Sequence, residues 1–129
     1  MARRMRYAAA MDFRDRLQQR TYLFSIDIIR FCRTLPRTDE ARELARQLRR
    51  ASTGAAANYR ASRRGRSRAE WLAKMGVVVE ELDEADHWLS VLKDAGIAAP
   101  PQNLITECKE LLAITATAVI TARRNDSNS

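Results

Sequence analysis

Apolar residues recur at alternating spacings of four and three in four separate stretches of this chain, which is the period of an amphipathic helix. The stripe of the first stretch consists of Leu17, Thr21, Phe24, Ile28, Phe31 and Leu35. Tyr22, Ile26 and Ile29 widen it, so apolar residues lie on more than one side of this helix. The pattern predicts a helix over about 15–34 that is central or shared with a neighbour, and Pro36 ends it.

The second predicted helix covers about 39–64 and has smaller inward side chains. Thr38 is a suitable N-cap, because its hydroxyl can accept from an amide of the first turn. The inward stripe consists of Ala41, Leu44, Leu48, Ala51, Ala55 and Asn58. Since side chains shrink along this stripe, we expect another helix to approach closely here. Asn58 is then a polar core residue that fixes the register of the helices.

A capping box marks the start of the third helix, which is predicted over about 67–95. Ser67 and Glu70 form the box directly before the apolar Trp71. The stripe that follows is a strict heptad pattern of Met75, Val78, Leu82, Ala85, Leu89 and Leu92. Gly96 is then predicted to end this helix at its C-terminus.

Pro100 and Pro101 suit the first turn of a fourth helix over about 100–124. Its stripe consists of Leu104, Cys108, Leu111, Thr115, Ala118 and Ala122. The polar residues after Arg124 are expected to fray. Four amphipathic helices with short links predict an all-α, antiparallel up-down four-helix bundle. The 129 residues fit one such domain over 1–129, and 4 glycines and 3 prolines are too few for the turns of an all-β fold.

Cys32 and Cys108 lie in apolar helical contexts without a CxxC spacing, so we interpret both as reduced core residues of a cytosolic protein. The apolar run after the basic first residues is too short for a signal peptide. The run over 111–122 is likewise too short to span a bilayer. We therefore expect a soluble, cytoplasmic protein without a membrane partner.

The net charge of +7 is unevenly distributed along the chain. Residues 1–68 carry a formal charge of +12, whereas residues 69–129 carry −5. Arginine outnumbers lysine 20 to 3, which suits bidentate phosphate contacts, although a codon usage that favours arginine explains the ratio equally well. A basic half attracts phosphates, yet complementary halves can equally pair copies of the chain.

Nine arginines stand between Arg42 and Arg68 against a single acid, Glu43. Seven of them are candidates for a phosphate-binding surface: Arg49, Arg50, Arg60, Arg63, Arg64, Arg66 and Arg68. The alternative is that they pair with acids, above all with those of the third helix, Glu80, Glu81, Asp83, Glu84 and Asp86. Binding of RNA or DNA and pairing with acids within an oligomer are therefore both open.

No residue pattern indicates catalysis. Glu84 and His87 have the E-x-x-H spacing of di-iron bundles, but such a site needs two of these motifs and His87 is the only histidine. No serine, cysteine or lysine stands beside a plausible base. We therefore expect a non-enzymatic protein without a metal, cofactor or small-molecule substrate. Tyr59, Trp71 and Trp88 are better candidates for an oligomer interface than for ligand binding.

One set of residues forms a pattern that extends from about Tyr22 to Arg123. It consists of Gln47, Leu48, Arg49, Arg50 and Ala51, then Asn58, Arg66, Ser67, Glu70 and Trp71, and further Lys74, Glu81, Glu84, Trp88 and Leu89. This pattern resembles that of a known family, the four helix bundle proteins, which include proteins encoded by intervening sequences in bacterial large-subunit ribosomal RNA genes.

The commoner family pattern has an N-I-A-E-G stretch after the arginine pair, whereas this chain has the A-N-Y-R form of one branch, with Tyr59 and Arg60 after Asn58. A role tied to the missing glutamate does not carry over. The resemblance implies a left-handed up-down bundle that assembles as a ring-like homopentamer. It also implies kinship with accessory proteins of diversity-generating retroelements, which are pentameric and bind nucleic acid.

The residues and the resemblance together favour a non-enzymatic homo-oligomer, pentameric by resemblance, with a basic surface that binds RNA or DNA without strong sequence preference. The alternative is a protein-interaction scaffold in which the arginines pair with acids inside the oligomer and no nucleic acid is bound.

Overall fold

The computed structural model describes residues 12–128, and this range contains four α-helices and no β-strand. The helices are α1 (Phe13–Cys32), α2 (Asp39–Ser62), α3 (Arg68–Asp94) and α4 (Gln102–Ser127). None of them is long and apolar enough to cross a membrane. The prediction of an all-α four-helix bundle is confirmed, and each helix lies within a few residues of its predicted bounds.

Each helix packs against its neighbours in the chain, and α4 packs back against α1. Neighbours run antiparallel: Arg63 just after α2 meets Asp15 at the start of α1, and Arg68 at the start of α3 meets Asp126 near the end of α4. Between residues 12 and 128, the diagonal pairs α1–α3 and α2–α4 make no close backbone approach. The four helices therefore surround one core, and the left-handed sense of their path stays a prediction.

Two predicted N-caps are confirmed. The hydroxyl of Thr38 accepts a hydrogen bond from the amide of Ala41 (3.2 Å), and that of Ser67 accepts from the amide of Glu70 (3.1 Å). The carboxylate of Glu70 accepts in turn from the amide of Arg66 (2.6 Å). These bonds satisfy amides that have no partner within the helix, so they fix where α2 and α3 begin.

Gly96 ends α3 as predicted. It adopts a left-handed conformation with φ of 70°, and its amide donates to the carbonyl of Lys93 (3.1 Å). The amide of Ile97 donates to the carbonyl of Leu92 (3.0 Å). The two bonds form a Schellman motif, and its left-handed residue is most easily a glycine.

Helix α4 differs from its prediction at both ends. Pro101 is the N-cap residue, with φ of −55° and ψ of 137°, so the helix begins after both prolines. Pro100 is kept out of the helix because it precedes another proline, which disfavours the helical conformation. At the other end the helix continues past Arg124 to Ser127, where we expected fraying.

The predicted inward stripe of α3 is confirmed at all six positions, each of which is at most 2% exposed. Elsewhere the stripe is displaced by one residue: Ala45 rather than Leu44 is buried in α2, and Val119 rather than Ala118 in α4. A helix turns every 3.6 residues, so steps of three and four assign adjacent residues ambiguously.

Small side chains on α2 allow a close approach to α3, as predicted. Gly54 faces α3, where a Cβ at this position would stand 3.1 Å from Oε2 of Glu81. The inward stripe continues at Tyr59 rather than at Asn58. Asn58 is half-buried, and its side-chain amide donates to the carbonyl of Gly54 in the same helix (2.8 Å). The hypothesis that Asn58 fixes the register from the core is therefore wrong.

Candidate nucleic-acid interface

All seven candidate arginines are exposed, on α2, in the turn after it, or at the start of α3. Arg60 lies in the last turn of α2, and Arg64 and Arg66 lie in the connection that follows it. Arg50 lies ten residues before Arg60, which is roughly 15 Å along the helix. The structure therefore groups the later arginines at one end of the bundle and leaves Arg49 and Arg50 apart from them.

Two of the seven arginines are engaged inside the chain. Nη2 of Arg63 lies 2.7 Å from Oδ1 of Asp15, and Nη1 donates to the side-chain oxygen of Gln18 (2.8 Å). Nε of Arg68 donates to Oδ1 of Asp126 (2.6 Å). Both pairs join neighbouring helices at the surface, where such pairs contribute up to about 1 kcal/mol. Arg63 and Arg68 are thus partly occupied by carboxylates.

Among the described residues, the other five form no ion pair with an acid, and only Arg50 among them acts on an acid of α3, Glu81, through its charge. They make no side-chain hydrogen bond or ion pair with any residue of the range 12–128: Arg49, Arg50, Arg60, Arg64 and Arg66. Arg46, on the same helix, differs because its guanidinium binds Glu43 (2.8 Å). The hydrogen-bond donors of these five guanidinium groups are therefore available to an external anion.

The acids of α3 form no ion pair with these five arginines within one subunit. Asp86 forms an ion pair with Lys109 of α4 (3.2 Å), and the carboxylate of Glu84 accepts a hydrogen bond from the indole nitrogen of Trp88 (3.2 Å). Burial, followed by repulsion from Glu84, raises the pKa of Glu81, and Arg50 opposes this rise through its charge. In the described part of the chain, no candidate arginine forms an ion pair with these acids.

The three aromatic residues assigned to an oligomer interface lie in different environments. Tyr59 is 3% exposed within a single chain, and its hydroxyl donates to the carbonyl of Arg14 (3.1 Å). This burial corrects the expectation of a subunit contact at Tyr59, because its side chain has no surface to offer. Trp71 and Trp88 are half-buried against the core, and the guanidinium of Arg68 lies 6.0 Å from the Trp71 ring. A subunit contact at the two tryptophans stays a prediction.

A groove of about 660 Å³ runs along the outer junction of α1 and α2. Tyr22, Ile26 and Ile29 line it from α1, and Ala57 and Arg60 line it from α2. Tyr22 is 59% exposed. The widened apolar stripe of α1 is thereby explained, since these extra apolar residues face the groove instead of the core.

A second cavity, which the sequence did not reveal, lies where α1 connects to α2. It measures about 170 Å³ and is lined by four arginines, Arg33, Arg37, Arg42 and Arg49. Only Arg49 was a candidate from the sequence. The available signal was the recurrence of arginine on both sides of Pro36, at a turn that brings the end of one helix to the start of the next.

Cys32 and Cys108 are buried and unpaired, as predicted. Burial raises the pKa of both thiols, that of Cys108 to about 12, so both stay protonated. No group of three or more His, Cys, Asp or Glu side chains within 12–128 is arranged to hold a metal ion. His87 is exposed, and its ring centre lies 4.9 Å from that of Trp88.

The fold and the arginines define a class of small all-α proteins, four-helix bundles with a basic second helix. Residues 15–117 match the family described as 23S rRNA-intervening sequence protein. The chain belongs to this family, which confirms the resemblance seen in its residues.

A solved structure shares this fold. It is a protein of unknown function from the S23 ribosomal protein family of Bacteroides thetaiotaomicron, 18% identical, with a TM-score of 0.73 over 80% of this chain and 97% of that chain. At this identity the likeness shows the fold alone. No curated protein matches the sequence of this chain.

Proposed function

We propose that this chain is a non-enzymatic, homo-oligomeric four-helix bundle that binds the phosphate backbone of RNA or DNA in the cytoplasm. The observation that carries the proposal is the set of exposed arginines without acid partners, above all Arg60, Arg64 and Arg66. An arginine bound to a carboxylate must give up that bond to reach a phosphate, whereas these three need not. Contacts to the backbone alone give affinity without strong sequence preference.

Arg63 and Arg68 support this surface indirectly. Arg63 ties the end of α2 to α1 through Asp15, and Arg68 ties the start of α3 to α4 through Asp126. Both bonds flank the turn that carries Arg64 and Arg66. They therefore position the turn at the end of the bundle.

Assembly of several copies is part of the proposal. The α1–α2 groove exposes apolar surface at Tyr22 opposite the small Ala57, and surface of this kind is suited to burial against a protein. We infer that a second copy occupies the groove, because the family resemblance implies a homo-oligomer and Tyr22 offers exposed apolar surface there for burial. The family resemblance implies a ring of five, and a ring repeats the basic surface and raises its avidity for a polymer.

A protein-interaction scaffold is the second candidate, and one observation favours it. Glu80 and Asp83 make no ion pair with any residue between 12 and 128. They are as able to bind arginines of a neighbouring copy as those arginines are to bind phosphate. If all the arginines are used in this way, the oligomer binds no nucleic acid.

Titration of the purified protein with labelled RNA and duplex DNA tests the proposal. With several phosphate contacts, affinity should fall by orders of magnitude between about 50 and 200 mM salt. Absence of binding at the lower salt concentration would refute nucleic-acid binding and leave the scaffold. Light scattering at micromolar concentration tests assembly separately, and a monomeric mass would refute the oligomer.

The variant Arg60→Ala/Arg64→Ala/Arg66→Ala separates the two candidates. Nucleic-acid binding predicts lost affinity with the oligomer intact, whereas the scaffold predicts a weakened oligomer. Arg46→Ala is the matched control, since it removes an exposed arginine of α2 that already binds Glu43. The control should change neither property appreciably.

A further inference from the structure

An open cavity with a cationic lining lies at the connection between α1 and α2. Its volume is about 170 Å³, and its lining includes Arg33, Arg37, Arg42 and Arg49 but no acidic side chain. Arg33 and Arg37 come from the connection itself, and Arg42 and Arg49 come from α2. Four exposed arginines around one cavity make its potential positive, and a bound anion would lower their mutual repulsion.

Partners inside the chain do little to relieve it. Arg42 lies 3.8 Å from Asp39, in an exposed pair of the kind that contributes little. The other three lining arginines have no side-chain hydrogen bond or ion pair in the part of the chain that the structure describes. The start of α2 lies on the same side, where Asp39 and Glu40 of its first turn offset the positive end of the helix dipole.

The walls of the cavity are held in place by local bonds. The amide of Leu35 donates to the carbonyl of Cys32 (3.3 Å), and the thiol of Cys32 donates weakly to the carbonyl of Ala45 (3.7 Å). Pro36 fixes one backbone dihedral of the connection. Arg33 and Arg37 are thus attached to a constrained turn and Arg42 and Arg49 to a helix, which reduces the entropy lost when the four converge on a ligand.

The size of the cavity restricts the ligand. Sites for drug-sized molecules measure about 300–1,000 Å³, so this cavity suits a single small oxyanion better than a nucleotide. Guanidinium forks match the oxygen geometry of phosphate, which they bind through paired hydrogen bonds. The ligand that this lining fits best is therefore a phosphate group that carries two negative charges, either free in solution or at the end of a longer molecule.

We propose that the cavity lined by Arg33, Arg37, Arg42 and Arg49 is a binding site for a phosphate group, either free phosphate or the terminal phosphate of a nucleic-acid strand. It lies at the opposite end of α2 from Arg60, Arg64 and Arg66, roughly 16 Å away along the helix from Arg49 to Arg60. The site can be tested separately from the proposed function, because binding of free phosphate requires neither nucleic acid nor the oligomer.

Calorimetric titration with inorganic phosphate, in a chloride buffer of low ionic strength, tests the site. The natural chain should bind saturably, and Arg37→Ala/Arg49→Ala should bind at least about tenfold more weakly, because each substitution removes charge-assisted hydrogen bonds. Arg46→Ala, on α2 but outside the cavity, is the control and should bind within twofold of the natural chain. Circular dichroism of each variant checks that it is folded. Absence of saturable binding, or an equal loss in Arg46→Ala, overturns the proposal.

Oligonucleotides with a 5′-phosphate or a 5′-hydroxyl distinguish the two sources of phosphate. A preference of about tenfold for the phosphorylated strand, lost in Arg37→Ala/Arg49→Ala, assigns the site to strand ends. Equal binding of both strands, together with saturable inorganic phosphate, assigns it to free phosphate. The variant Arg60→Ala/Arg64→Ala/Arg66→Ala should keep its affinity for inorganic phosphate even where it loses nucleic acid, so the two proposals can fail separately.

Discussion

The hydroxyl of Tyr59 in α2 donates a hydrogen bond of 3.1 Å to the backbone carbonyl of Arg14, in the first turn of α1. The bond joins residues 45 positions apart and ties the end of one helix to the start of another. Burial raises the pKa of the Tyr59 hydroxyl, which therefore stays protonated and able to donate. Tyr59 is a polar anchor inside the subunit.

Two substitutions of Tyr59 should separate the contribution of its hydrogen bond to stability from the contribution of its ring packing. Tyr59→Phe removes only the hydroxyl and should lower the free energy of unfolding by about 1 kcal/mol. Tyr59→Ala also leaves a cavity and should lower it by about 3–5 kcal/mol. Urea denaturation followed by circular dichroism measures both values. A Phe variant as stable as the natural chain would show that the bond contributes nothing.

Gly54 and Gly76 are helical glycines that differ in their surroundings. A Cβ at Gly76 meets nothing within 4 Å, whereas one at Gly54 would stand 3.1 Å from Oε2 of Glu81. Gly76→Ala should therefore raise the free energy of unfolding by about 0.8–1 kcal/mol, the usual gain in helix propensity. Gly54→Ala should raise it less, because Glu81 must move.

A Glu81→Ala background serves as the control for these two substitutions. Without the Glu81 carboxylate, Gly54→Ala and Gly76→Ala should stabilise the protein to the same extent. Thermal unfolding of the single and double variants gives the coupling between Gly54 and Glu81. Equal gains from both alanines in the natural chain would argue against the close approach of α2 and α3 at this point.

Glu81 should make stability depend on pH. Its pKa is raised above the ordinary value of 4.5, first by burial and then by Glu84. A carboxyl group with a higher pKa in the folded state binds its proton more tightly there. It therefore lowers stability above its folded pKa, and this loss disappears as the pH falls below its unfolded pKa.

Glu81→Gln should accordingly be more stable than the natural chain at pH 7 and equally stable at about pH 3.5, where the carboxyl is neutral in both states. Unfolding experiments at the two pH values measure the difference. Asp83→Asn, which removes an exposed carboxylate of the same helix that does not contribute to the shift at Glu81, provides the control. A Glu81→Gln variant that is less stable at pH 7 would mean that attraction to Arg50 outweighs burial.

The hydroxyl of Ser67 caps α3, so its removal should cost stability. Ser67→Ala should lower the free energy of unfolding by about 1 kcal/mol, because the amide of Glu70 loses its partner. Ser67→Gly should cost only a few tenths of a kcal/mol, since glycine leaves that amide open to water. Denaturant titration distinguishes the two, and an equal effect of both substitutions would speak against the cap.

The helices and most of the core follow from local pattern. The heptad stripe of α3 and the caps at Thr38 and Ser67 depend on neighbouring residues, so they were predicted without knowledge of the packing. The local pattern does not decide whether Asn58 or Tyr59 continues the buried stripe of α2, because adjacent residues fit the helical period almost equally well. The contact of Tyr59 with α1 decided it, and only the packed bundle shows that contact.

The candidate site was less predictable, because the arginines available to bind phosphate are those that form no ion pair with a carboxylate in the folded chain. The bond from Arg63 to Asp15 forms only because α1 and α2 pack antiparallel. The cavity that joins Arg33 to Arg49 likewise exists only once the turn at Pro36 has formed. The sequence located the excess of positive charge but not its distribution between paired and unpaired groups.

The salt dependence of binding to duplex DNA tests most directly whether unpaired arginines bind phosphate. The slope of log affinity against log salt concentration is about −0.9 for each phosphate neutralised. If Arg60, Arg64 and Arg66 of one subunit each hold a phosphate, their triple alanine variant should have a slope shallower by about 3, with the oligomer mass unchanged. Arg46→Ala should shift the slope by less than about 1, because Arg46 already binds Glu43. An unchanged slope in the triple variant would contradict phosphate binding by these residues.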